Sequence, residues 1–169
     1  MNSLATVLLN KKQFDLAFAF KQTEDNCVLT QKAEQNEIGL YVGEVNNIGF
    51  RHGRGYQGIH NSKEFYIGYF QDNIKSGKGK IFYEPGKIKY DGYFLYDMPY
   101  GQGKYFYNDG STLEGNFNEI GQGSGVFIFP NGESWKGTFY GWNRHGSGEY
   151  FDKNGNSLGM RSFQFNYKI

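Results

Sequence analysis

The chain has 169 residues, of which 25 are glycine and 19% aromatic, and it carries a formal net charge of +1. That is one domain's worth of chain; no run approaches the ~20 apolar residues of a membrane-spanning helix, and near-neutrality is far from the basic footprint of a nucleic-acid binder. A single cysteine, Cys27, excludes an internal disulfide and fits a reducing compartment.

Residues 1–38 hold no glycine, whereas all 25 fall between Gly39 and Gly159, which places a domain boundary near Glu37. Within this first segment Leu4, Val7, Leu8 and Lys11-Lys12 fit one short helix, and Phe14, Leu16, Phe18 and Phe20 alternate as in a strand. The segment reads as either a cap or a docking arm. It shows neither the charged n-region of a secretion signal nor the arginines of a transit peptide.

From residue 39 to 169 one unit recurs. Its core reads Tyr41-Val42-Gly43, Tyr66-Ile67-Gly68, Tyr90-Asp91-Gly92, Leu113-Glu114-Gly115 and Trp135-Lys136-Gly137, closed two residues on by Val45, Phe70, Phe94, Phe117 and Phe139. A Gly-x-Gly pair follows each core: Gly53 and Gly55, Gly77 and Gly79, Gly101 and Gly103, Gly123 and Gly125, Gly146 and Gly148. Short aromatic or β-branched runs come next, such as Lys104-Tyr105-Phe106-Tyr107 and Val126-Phe127-Ile128-Phe129, then a turn glycine at 86, 110, 132 or 155. Each unit therefore predicts two strands joined by a loop of six to eight residues, then an Asn-Gly type turn. Period two puts both rings and the core glycine on one face, with the glycine leaving space for rings of neighbouring strands. The fold class is all-β: an elongated single-layer antiparallel sheet of successive hairpins. At its C-terminal end Met160 takes the core-glycine position, and Phe163, Phe165, Tyr167 and Ile169 alternate as a degenerate closing strand.

These units resemble MORN repeats. The match spans residues 41 to 157, and Arg51-His52-Gly53-Arg54-Gly55 and Arg144-His145-Gly146-Ser147-Gly148 are similar to the family's His-Gly-x-Gly form. Val45, Leu113 and the extra Gly121 depart from it. The resemblance implies a twisted antiparallel sheet with an aromatic-lined groove. It implies no single activity, since MORN arrays occur in membrane-bridging, cytoskeletal and ciliary proteins and beside catalytic domains.

The sequence offers little for catalysis. His52 and His145 occupy equivalent repeat positions, His60 lies in a variable loop, and one cysteine leaves no Cys/His ligand spacing, so no metal or other cofactor is expected. Ser124 and Ser147 have no assigned base, and Gly-x-Gly precedes strands rather than helices, which fails the test for a dinucleotide loop. Charge is arranged in blocks: residues 51–89 hold eight Lys and Arg against three acids, and residues 90–133 hold Lys104 against six. Arg51, Arg54, Lys75, Lys78, Lys80, Lys87 and Lys89 could gather on one flank and meet anionic lipid or an acidic partner; equally, they could solvate exposed faces. A one-layer sheet cannot hide both faces, so Tyr69, Tyr93, Tyr96, Tyr100, Tyr140 and Trp142 are expected to stay accessible as a partner surface.

The resulting expectation is a non-enzymatic scaffold or structural subunit that docks other proteins of a larger assembly, cytoplasmic and in a cytoskeletal or ciliary setting. It carries no role for nucleic acid. The alternatives are a peripheral module binding anionic phospholipid and an accessory chain of an enzyme complex; a homodimer is compatible with any of them.

Overall fold

The computed structural model describes residues 28–36, 39–59, 61–118 and 121–168. The expected helix and strand before residue 21, Cys27, His60 and Ile169 lie outside the described residues. The chain divides into two compact units, with the boundary between Lys87 and Ile88.

The first unit holds β1 (Val28–Asn36), β2 (Gly39–Val45), β3 (Arg51–Gly58), β4 (Phe65–Gln71) and β5 (Ile74–Glu84). Each pairs antiparallel with the next. In the second unit follow β6 (Lys87–Leu95), β7 (Met98–Phe106), β8 (Thr112–Phe117), β9 (Gln122–Ile128), β10 (Ser134–Tyr140), β11 (Asn143–Arg144), β12 (Gly146–Phe151), β13 (Ser157–Gln164) and β14 (Tyr167–Lys168). Pairing again runs in chain order, except that β10 bonds both β11 and β12. Among the described residues there is no helix; each unit is an open antiparallel sheet of successive hairpins.

A stripe of glycine crosses each sheet. In the first unit Gly43 pairs with Gly55, Gly55 with Gly68 and Gly68 with Gly79. In the second, Gly92, Gly103, Gly115, Gly125 and Gly137 are paired in the same way. In four of the five units the space over the stripe is filled by the ring two residues before the core glycine, which covers that glycine and its partner on the adjacent strand. A Cβ on Gly79 would stand 2.4–2.6 Å from three atoms of the Tyr66 ring and hydroxyl. Tyr41, Tyr90 and Trp135 cover their own glycine pairs in the same manner. Each ring is then pinned from two sides. The Tyr41, Tyr66 and Tyr90 hydroxyls donate to the carbonyls of Glu44, Tyr69 and Tyr93 at 2.7–3.1 Å. Phe70, Phe94 and Phe139 meet Tyr66, Tyr90 and Trp135 edge to face at 5.2–5.4 Å, a geometry that gains about 0.5–1.5 kcal/mol beyond burial.

Two kinds of turn recur, the glycine kind also closing β2–β3 and β8–β9, where Asn46 and Asn118 accept from the N–H of Gly49 and Gly121. At one end of the hairpins, Tyr107, Phe129 and Asp152 accept from the N–H of Gly110, Gly132 and Gly155, each with φ of +84 to +87°. These are the Asn-Gly type turns expected from sequence. At the other end, the loop of six to eight residues is instead a two-residue turn: Asp72-Asn73, Tyr96-Asp97, Gly141-Trp142 and Phe165-Asn166, both residues at positive φ. That is the type I′ geometry that matches strand twist. The remaining length is absorbed at the first glycine of the Gly-x-Gly pair, where φ of +79° at Gly77 and +67° at Gly101 accompanies a register shift. The strand therefore starts before the Gly-x-Gly pair rather than after it.

Candidate interaction surfaces

The glycine-stripe face is largely self-satisfied, because cations lie on its rings. Arg51, only 8% exposed, stands 4.8 Å over the Tyr41 ring, and Lys75 lies 5.4 Å from Tyr66. In the second unit Arg144 is 4.2–4.7 Å from the rings of Phe127, Phe129 and Phe163, and Arg161 is 3.9 Å from Tyr150. Burial of Arg144 holds its pKa below the usual guanidinium range, which is the expected cost of taking a cation out of water. The stacking offsets part of that cost.

Trp142 belongs to this face. It sits at the second position of the Gly141-Trp142 turn, the position held by Asn73 and Asn166 elsewhere. Those asparagines accept from the backbone N–H of Arg51 and Arg144 at 2.9 Å. The Trp142 indole instead stacks on Tyr105 at 4.7 Å and packs on Tyr90 and Phe117, while its carbonyl accepts from the Tyr107 hydroxyl. Of the six aromatics expected to stand accessible, Tyr69 and Trp142 are half-buried, Trp142 inside the second unit. Leu113 explains why room exists: shorter than the Tyr or Trp of other cores, it does not cover its glycine pair.

The opposite face of the second unit is different in character. Tyr93, Tyr100 and Tyr140 are 48%, 40% and 42% exposed, and Tyr96, in its turn, is 69% exposed. Tyr100 and Tyr140 flank an open trough of about 760 Å³ whose floor is Asn116, Ser124 and Thr138, with Asn118, Gln122 and His145 at one end. Among the described residues no charged side chain lines it. The imidazole Nδ1 of His145 is buried there without a hydrogen-bond partner among the described residues. In the first unit a smaller trough, about 370 Å³, is lined by Tyr69, His52, Gln71 and Lys78; here His52 Nδ1 has Asp72 at 3.3 Å. The two histidines that share a repeat position therefore line corresponding troughs, one in each unit.

The seven basic residues do not share one surface. Arg51 and Lys75 lie on rings of the stripe face, and Lys87 lies 5.7 Å from Tyr83. Arg54 grips Glu44, its Nε and Nη2 donating to one carboxylate oxygen at 3.0 and 2.7 Å while its backbone N–H donates to the other at 2.6 Å. Lys78 and Lys80 alternate on the other face of β5, and Lys89 belongs to the second unit. The Glu44–Arg54 lock was not anticipated from sequence. A signal for it exists: where other units carry Tyr69, Tyr93, Asn116 or Thr138, this one carries an acid, opposite a Gly-Arg-Gly.

Among the described residues no group of three or more His, Cys, Asp or Glu could hold a metal. The arrangement offers flat rings, amides and hydroxyls on a stiff sheet, which is the chemistry of docking. The family model for the MORN repeat matches residues 66–87, 90–112, 121–134 and 136–157. The chain belongs to the MORN-repeat family. MORN repeats are interaction scaffolds rather than catalytic modules, and no helix of the described residues is long and apolar enough to cross a membrane. A search of curated proteins returned no match. The matched segments begin at Tyr66, yet the unit at Tyr41 repeats the MORN geometry: ring over Gly43 and Gly55, hydroxyl to the carbonyl three residues on.

Proposed function

We propose that this MORN-repeat chain is a non-enzymatic adaptor that docks an extended segment of a protein partner along the tyrosine-flanked trough of its second unit. The observation that carries this reading is the pairing of exposed Tyr100 and Tyr140 across an uncharged floor of Asn116, Ser124 and Thr138. Tyrosines are rigid contact anchors that lose little entropy on binding, and neutral amides and hydroxyls satisfy a peptide backbone without the desolvation cost of charge. A cytoskeletal or ciliary assembly, or an enzyme complex to which this chain is accessory, would each supply such a partner.

The test is native purification of the tagged chain with identification of stable companions, compared with a Tyr100→Ala/Tyr140→Ala variant. Both rings are surface groups, so the variant should fold and lose its companions; retention of the same companions would overturn the assignment of the trough. A membrane reading would place anionic headgroups on the face of β5 that carries Lys78 and Lys80. Salt-reversible sedimentation with anionic vesicles, abolished by Lys78→Glu/Lys80→Glu, would favour it.

A further inference from the structure

The first unit carries apolar side chains on both faces, with Lys80 paired with Ile67 at the edge of the second patch. Opposite its glycine stripe, Tyr56, Phe65 and Ile67 are only 7%, 4% and 5% exposed, with Leu40, Val42 and Phe82 packed around them. Phe65 stacks on Phe82 at 4.6 Å and meets Tyr56 at 5.4 Å. Cross-strand pairs of this kind shield ring edges, but in an open sheet they leave the outward ring faces in water. The second unit shows what an uncovered face looks like. There the positions matching Phe65, Ile67 and Tyr56 are held by residues such as Thr112, Ser134, Glu114, Lys136, Lys104 and Glu149, with Lys104 and Glu114 in an exposed ion pair at 3.2 Å. Burial to this degree in the first unit requires a second layer.

We infer that residues 1–27 of this chain are that layer, with Phe14, Leu16, Phe18 and Phe20 seated on the patch formed by Leu40, Val42, Tyr56, Phe65, Ile67 and Phe82. Connection, pattern and size agree. β1 pairs Val28 with Val45 of β2, so the chain preceding Val28 is delivered to the edge of this same unit. Phe14, Leu16, Phe18 and Phe20 alternate with Asp15, Ala17 and Ala19, so an extended segment presents four large apolar side chains to one side and small or charged ones to the other. Seven extended residues span about 20 Å, enough to cross four strands spaced about 4.8 Å apart. The segment 1–27 carries three lysines against three acids, so no net charge opposes seating it on an apolar surface. The docked segment would give the first unit a two-layer core and reserve the second unit's open faces for partners. This inference does not depend on the trough assignment.

The experiment uses the full-length chain with p-benzoylphenylalanine in place of Phe18. On irradiation, cross-links should map to peptides containing Tyr56, Phe65–Ile67 or Phe82 of the same chain, which mixing of isotopically light and heavy protein distinguishes from a second copy. Cross-links only between copies, or only to the second unit, would overturn the inference. In parallel, Phe14→Asp/Phe18→Asp should cause loss of amide hydrogen-exchange protection across β2 to β5 while residues 88–169 keep theirs, an internal control for folding. Unchanged protection in β2 to β5 would equally overturn it.

Discussion

The covering of the glycine stripe by rings makes a sharp prediction at Gly79 of β5, which lies under Tyr66 of the adjacent strand β4. In Gly79→Ala the new methyl group meets Tyr66 Oη, Cε2 and Cζ at 2.4–2.6 Å. The ring cannot step aside, because it is 1% exposed, boxed edge to face by Phe70 and tied by its hydroxyl to the Tyr69 carbonyl. Expelling it forfeits most of what an aromatic-to-alanine truncation costs, about 3–5 kcal/mol, together with a hydrogen bond of about 1 kcal/mol. Some of the ring's contacts survive its displacement, so Gly79→Ala should cost about 3 kcal/mol and Tyr66→Ala about 4 kcal/mol. In the double variant the methyl group enters the space the ring vacated, and alanine is otherwise favoured over glycine in a strand by about 0.5–1 kcal/mol. The double variant should therefore be no less stable than Tyr66→Ala alone, a coupling of about 3 kcal/mol. Urea unfolding of the four proteins measures the cycle. Additivity within about 0.5 kcal/mol would refute the ring-on-glycine account, since the cost at Gly79 would then lie in the backbone.

Three further outcomes follow from named contacts. Glu44→Ala leaves Arg54, 17% exposed in the ion pair, without its carboxylate, and should cost about 3 kcal/mol by urea unfolding. Burial, and then the charge of Asp91, raise the pKa of the Tyr90 hydroxyl; unfolded chains ionise this group near pH 10 while the fold holds its proton. Stability should be intact below pH 10 and fall above it by up to about 1.4 kcal/mol per pH unit. Tyr90→Phe, less stable at pH 8, should show a shallower fall between pH 9 and 11 in thermal unfolding. The chain has two tryptophans, so Trp142→Phe leaves Trp135, fully buried, as the sole emitter. Its fluorescence maximum should be blue-shifted relative to the parent protein.

The hairpins and their glycine register were legible because glycine, ring and turn residues recur with fixed spacing. What the spacing does not carry is which ring lies over which glycine. Alternation puts Tyr66, Gly68 and Phe70 on one face, but only the side-chain reach of Tyr66 decides that it folds back along its own strand. The two-residue turns were hidden for a related reason. Asn73 and Asn166 advertise left-handed backbone, whereas Tyr96, Trp142 and Phe165 do not, and the sheet imposes that conformation on them through register. The same substitution of Trp for Asn withdrew Trp142 from the accessible set. The exposure of Tyr93, Tyr100 and Tyr140 was readable from the alternation, because each neighbours a residue that the repeat commits to its interior, whereas Tyr96 is exposed by its place in the turn.

The repeat thus spends its recurring positions on itself. Rings and glycines consume one another's surface, and the cations Arg51 and Arg144 are drawn down onto the same face, so little of that face is left to distinguish one partner from another. The chemistry that varies from unit to unit sits between the core glycine and the second aromatic, where this chain carries Glu44, Tyr69, Tyr93, Asn116 and Thr138 in turn. Each projects from the opposite face of a strand whose register is held by the stripe. Glu44 is used to lock its own hairpin, whereas Asn116 and Thr138 floor the trough and Tyr69 lines the smaller one. On the proposed docking reading, the specificity of this surface would rest on one variable residue per unit, and exchanging Asn116 and Thr138 for lysine should abolish capture of the companions that the parent chain retains while its urea unfolding stays unchanged.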